Sequence, residues 1–248
     1  MKIGAQLFTV REFCKTTDDF ADTLQRIADI GYKTVQVSGT CPFEAAWLAE
    51  QLQKTGLKCA LTHTPKERLI AETEAVIAEH GIFDCRYIGL GYHKFTGETA
   101  DYDAFCKTYL PVAEKIAHSD RHFMYHNHAS EFIKIGNQTI LQKLFEDFSA
   151  AELGFTLDTY WIQVGGADPA DYIERFSGRV QCIHLKDYAY GPTMAVVGEG
   201  NINFDRVFEK ARDAGTEYMF VEQDHCNGED PFECLRRSYA YLKSRGFS

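Results

Sequence analysis

The chain has 248 residues, 26 of them basic and 36 acidic, for a formal charge of −10. A surface this acidic repels nucleic-acid backbones and anionic membranes, so the expected partner is a small molecule, with no nucleic acid and no membrane. The length allows a sizeable core and is close to that of many single α/β barrels.

The 8 cysteines (Cys14, Cys41, Cys59, Cys85, Cys106, Cys182, Cys226 and Cys234) include no C-x-x-C pair, and they read as reduced and mostly buried. The amino terminus, MKIGAQLFTVRE, breaks its apolar run at Arg11 and Glu12, too early for a signal peptide. No apolar run reaches the roughly 18 residues of a membrane span. A cytoplasmic location is the resulting expectation.

Along the chain, short apolar or β-branched runs alternate with longer segments of helical period, the pattern of repeated βα units around a parallel sheet. Strands are expected at 3–8, 34–37, 58–63, 86–90, 123–127, 154–158, 180–185 and 218–222. Eight such units close a barrel, and the chain reads as a single-domain TIM (β/α)8 barrel over residues 1–248. Helix starts are marked by Thr64-Pro65-Lys66-Glu67, Asp168-Pro169 and Asp230-Pro231-Phe232-Glu233, each a cap residue followed by proline. Gly31, Gly56, Gly81 and Gly215 are expected to end helices in the left-handed conformation. Apolar stripes at spacings of three and four, such as Phe20, Leu24, Ile27 and Ile30, should lie against the barrel.

Chemistry is expected where the strands end. The run HFMYHNHASEF at 122–132 brings His126, Asn127, His128 and Glu131 to the end of the fifth strand. Later strand ends supply Asp158, His184 and Glu222. Taken singly, each has a structural explanation: Asp158 as a helix cap, His184 as a core histidine, Glu222 as the partner of an arginine. Together, at ends that a barrel makes converge, Glu131, Asp158, His184 and Glu222 form a carboxylate-rich set suited to manganese or magnesium, with cobalt or zinc as alternatives.

The segments YHNHASEF (125–132), LDTYW (157–161), HLKD (184–187), VGEGNINF (197–204) and VEQD (221–224) resemble, in order and spacing, the xylose-isomerase-like TIM barrels. These are often labelled sugar phosphate isomerases/epimerases; they include tagatose/psicose epimerases, inosose dehydratase and, more distantly, endonuclease IV. The resemblance implies one divalent metal, manganese expected first, held by a glutamate, an aspartate, a histidine and a glutamate. Asp158, His184 and Glu222 match directly. In the epimerases the first ligand ends its strand, where this chain has His126; Glu131, five residues on, is expected to turn back to the metal while His126 faces substrate.

The implied reaction is isomerisation or epimerisation of a keto-sugar or polyol-derived substrate through an enediolate, with Glu131 and Glu222 as the acid/base pair and His126 as an alternative base. His63, Lys186 and Glu199 are expected to contact substrate. The alternative is a dehydratase or lyase of inosose or 3-keto-glycoside type using the same metal. An endonuclease IV-like nuclease is the remote one, opposed by the charge and by a ligand set for one metal rather than three. A homo-oligomer is compatible with all of these readings.

Overall fold

The computed structural model describes residues 1–247. Eight parallel strands close into a barrel: β1 (Lys2–Gln6), β2 (Thr34–Val37), β3 (Lys58–His63), β4 (Tyr87–Leu90), β5 (His122–His126), β8 (Gly154–Asp158), β9 (Cys182–Leu185) and β12 (Tyr218–Val221). Two short hairpins stand outside it, β6 (Lys134–Ile135) with β7 (Gln138–Thr139) and β10 (Asp187–Ala189) with β11 (Thr193–Ala195). The helices are α1 (Thr17–Ile30), α2 (Ala45–Thr55), α3 (Lys66–Ala71), α4 (Thr73–Ile82), α5 (Thr99–Ala117), α6 (Ile140–Asp147), α7 (Thr159–Val164), α8 (Pro169–Arg175), α9 (Phe204–Asp213) and α10 (Pro231–Ser244). Among the described residues no helix is long and apolar enough to cross a membrane.

The two-residue period of a strand divides the core in two. Inward-facing Leu61, Tyr87, Met124, Cys182, Tyr218 and Phe220 fill the barrel below its carboxyl ends. Outward-facing residues such as Val35, Phe123, Tyr125, Phe155, Ile183 and Val221 join the helices in a larger apolar layer. Continuing each inward row one step towards the carboxyl end gives His126 after Met124, His184 after Cys182 and Glu222 after Phe220. The barrel floor is therefore apolar and its mouth polar.

The expected helix ends are partly corrected. Asp168 and Asp230 cap α8 and α10, with Pro169 and Pro231 in the first turn. Thr64 does not cap α3; its hydroxyl instead bonds that of Thr62 at 3.0 Å. Gly31 (φ 120°), Gly56 (φ 68°) and Gly215 (φ 80°) follow their helices with positive φ, whereas Gly81 lies inside α4 and the left-handed residue after that helix is Asp84. The first strand also stops earlier than expected, because the Gln6 side chain accepts from the Phe8 N–H and starts the 3-10 turn Leu7–Phe13.

Candidate metal and substrate site

His126, Asp158, His184 and Glu222 are all buried, and one ligand-type atom from each lies within 4.8 Å of the others. In every case the side chain's second polar atom is tied to the fold. His126 Nδ1 faces the Gly91 carbonyl at 2.9 Å, which orients the ring and turns Nε2 towards Asp158 Oδ2 at 3.2 Å. Asp158 Oδ1 accepts from the Trp161 N–H at 2.9 Å, capping α7 and leaving Oδ2 inward. Gln36 Oε1 accepts from His184 Nε2 at 2.6 Å, and Glu222 Oε1 accepts from Gln6 Nε2 at 3.1 Å. Such outer partners set tautomer and orientation in metal sites. Gly91 has to be a glycine here, because a Cβ would sit 2.7 Å from the His63 ring.

The inward atoms are under-satisfied. His184 Nδ1 and Glu222 Oε2 approach to 2.7 Å, yet neither has an aligned hydrogen-bond partner. Against the opposing effect of burial, Glu222 and Asp158 raise the His184 pKa, so without a cation this pair shares a proton, and a cation taking the proton's place would meet both atoms. Lys186, itself buried, brings its ammonium to 3.2 Å from Asp158 Oδ2, 3.1 Å from Glu222 Oε2 and 2.9 Å from Asp224 Oδ1. Asp158 and Glu222 thus share one ammonium, with the Asp224 carboxyl beside it, an acidic set that an added cation suits. The donor set therefore fits a divalent metal.

Protonation follows from these neighbours. Burial works to raise the Asp158 and Glu222 pKa values, but Lys186 and the adjacent imidazoles outweigh it and hold both carboxylates ionised, well below their ordinary values. Burial works against the Lys186 charge and is outweighed in turn by Asp158, Glu222 and Asp224, so the ammonium is retained. His128 is pushed down to about 3 by burial and by His126, and stays neutral.

Above the cluster opens a cavity of about 470 Å³, whose wall includes Gln6, His63, His126, His128, Lys186 and Glu222. His63 accepts or donates at Nδ1 with Ser38 Oγ at 3.1 Å, while its buried Nε2 has no partner. The cavity opens to solvent, and its wall sets these polar groups beside Phe8, Leu90 and Tyr92, the mix of apolar surface and a few polar groups usual in ligand sites.

A family model described as xylose isomerase-like TIM barrel matches residues 24–245. The chain belongs to that family. No curated protein matches it in sequence. Among solved structures, a sugar phosphate isomerase/epimerase from Parabacteroides distasonis ATCC 8503 superposes with a TM-score of 0.84 at 20% identity, covering 98% of this chain and 93% of that one. An L-ribulose 3-epimerase gives 0.78 at 17%, with 98% and 94% covered. The probable 3-DHS dehydratase AsbF of Bacillus anthracis, involved in petrobactin synthesis, gives 0.76 at 16%, with 99% and 100% covered. Likeness at these identities is likeness of fold.

Within this xylose isomerase-like barrel the residues singled out in the sequence divide into two groups. Asp158, His184, Glu222, His126, His63 and Lys186 converge on the cavity. Glu131 and Glu199 do not. Glu131 belongs to the 3-10 turn Ala129–Phe132, and its carboxylate accepts from Tyr125 Oη at 2.5 Å, Ser130 Oγ at 2.8 Å and the His128 N–H at 3.1 Å. Tyr125 points outward from β5, so Glu131 lies behind the strand that carries His126, and His126 stands where a fourth ligand was expected from Glu131. Glu199 pairs with Arg237 at the half-exposed surface. Its loop is turned away by Asp187, which accepts from the N–H groups of Tyr188, Gly198, Gly200 and Ile202.

Sequence reading missed Gln6, Gln36 and Asp224, and it gave His128, named at the end of the fifth strand, no role of its own. Asp224, the last residue of VEQD, becomes significant only through Lys186 of HLKD, because the two motifs end the neighbouring strands β12 and β9.

Proposed function

We propose that this protein is a divalent-metal-dependent enzyme that moves a proton next to the carbonyl of a keto-sugar or polyol-derived substrate, as an isomerase or epimerase. One observation carries the reading: four buried inward atoms, on His126, Asp158, His184 and Glu222, each with its partner atom anchored to the fold. When bound, a divalent cation supplies Lewis acidity to the substrate carbonyl and stabilises the enediolate. Two imidazoles and two carboxylates suit manganese, cobalt or zinc; magnesium, which prefers oxygen, is less well served than by the glutamate-rich set expected from the sequence.

The protein's own groups then divide the remaining work. Glu222 is placed to take the proton from the carbon beside the carbonyl, since its Oε1 is steadied by Gln6 and its charge is maintained by Lys186. Lys186, held by Asp224, can donate to a substrate oxygen. His63, beside His126 and His184, is held neutral by burial and by those two imidazoles, so its unpaired Nε2 can hydrogen-bond a substrate oxygen.

A second reading is favoured by the position of Glu131. With that carboxylate behind β5, the pair of opposed glutamates on which the epimerase expectation rested is reduced to one. A single carboxylate base with an ammonium donor suits elimination, in which Glu222 removes the proton and Lys186 assists departure of a β-substituent, as in a dehydratase or lyase.

The test is elemental analysis of purified protein followed by incubation of the manganese-loaded enzyme with keto-sugars and keto-glycosides in deuterated water. Deuterium in an interconverted sugar supports isomerase or epimerase; loss of water or of an aglycone without interconversion supports the lyase. Failure to take up stoichiometric metal defeats both.

A further inference from the structure

Beside the metal cavity lies a second chamber of about 380 Å³, between the carboxyl ends of β2 and β3, the segment 38–43 and helices α3 and α4. The two share Ser38, Gly39, His63, Thr64 and Pro65, so they adjoin, and a ligand that filled both would lie against the hydrogen-bonded Ser38–His63 pair. Their chemistry differs sharply. The metal cavity is lined by imidazoles, carboxylates and Lys186, whereas the chamber is faced by Val37, Pro42, Phe43, Pro65 and Phe83, with Phe43 and Phe83 edge to face at 6.5 Å.

Away from the shared His63, whose Nε2 is unpaired, the ionisable groups of the chamber are satisfied among themselves. Arg68 is bidentate to Glu79, at 3.0 and 2.7 Å, and also bonds Glu72 at 3.0 Å, so it offers no free charge to an anion. His80 bonds the Val76 carbonyl through Nδ1 and Thr62 Oγ1 through Nε2, and burial keeps it neutral, its pKa lowered to about 4. Thr62 in turn meets Thr64. A chamber without unpaired charge, walled by rings, excludes a phosphate and accepts a flat apolar group.

From this we infer that the chamber between β2, β3, α3 and α4 is a subsite for a neutral, aryl-sized substituent, and that the substrate is a glycoside or similarly substituted carbonyl sugar rather than a free monosaccharide. The inference rests on the carbonyl-sugar reading above and adds the second half of the ligand.

The test compares methyl and phenyl glycosides of one keto-sugar, by calorimetry on manganese-loaded protein, in the wild type and in Cys41→Phe, which fills the chamber from a residue outside the metal cluster. The phenyl glycoside should bind at least about tenfold more tightly, reflecting burial of its ring. Cys41→Phe should reduce it to the methyl glycoside's affinity while leaving the methyl glycoside unchanged. Equal affinities in the wild type, or a phenyl preference that survives Cys41→Phe, overturn the subsite and leave the carbonyl-sugar reading standing. If neither glycoside binds, that reading fails, and the chamber is judged separately by alkylation of Cys41 in the wild type, read by peptide mass spectrometry. Protection by phenyl but not methyl glycoside supports the chamber and its absence overturns it; the same readout decides if Cys41→Phe does not fold.

Discussion

The phenol of Tyr125 donates to Glu131 at 2.5 Å on the outer side of β5, while the next residue, His126, points into the barrel towards Asp158 at 3.2 Å. Adjacent residues on one strand thus separate a structural carboxylate from a ligand-type imidazole. The turn Ala129–Phe132 reaches Glu131 back, as the sequence led one to expect, but to the wrong face of the strand for a metal.

This separation gives opposite expectations for two substitutions. Glu131→Gln should lower stability by about 1–3 kcal/mol, because a buried acceptor of three hydrogen bonds is partly lost, and should leave metal content unchanged. His126→Ala should lose metal while keeping the fold. Urea unfolding and elemental analysis of both proteins check the pair, and loss of metal from Glu131→Gln with retention in His126→Ala would reverse the assignment.

Gln36 never touches the inferred metal position, yet it holds His184 through Nε2 at 2.6 Å. Gln36→Leu should weaken divalent-cation affinity about 10–100-fold, the usual effect of removing an outer partner of a ligand. A competitive chelator titration measures it, with circular dichroism to verify that the barrel is intact.

Lys186 and a divalent ion would share Asp158 Oδ2 and Glu222 Oε2. Lys186→Met should therefore destabilise the metal-free protein by about 3–5 kcal/mol, since buried carboxylates lose their counter-charge. The same change should enlarge the rise in melting temperature on adding manganese and abolish turnover. Thermal scans with and without metal read the first two effects, and an unchanged metal response would remove Lys186 from the site.

His80 predicts a pH dependence with a definite sign. Its folded pKa, about 4, lies below the ordinary 6.5, so the unfolded chain binds the proton more readily. Stability is unaffected by this group above about pH 6.5, falls as pH drops towards 4 and then levels, losing in all about 3 kcal/mol. Replacing His80 with methionine should flatten that part of the profile. Urea unfolding at pH 7.5 and pH 4.5 compares the slopes.

The alternating strand and helix periods, together with the Asp-Pro helix starts, were enough to locate all eight barrel strands to within a few residues, because burial on both faces writes itself into local composition. The same local logic placed Asp158, His184 and Glu222 at converging strand ends. The sequence by itself thus determined the barrel, its family and most of the polar mouth. Tertiary structure alone decided that Glu131 lies behind β5, that Glu199 is drawn to Arg237, and that Gln6, Gln36 and Asp224 complete the site. Those outcomes depend on which face of a strand a turn returns to and on residues as far apart as Gln36 and His184, and neither the spacing nor the composition of one chain carries that information.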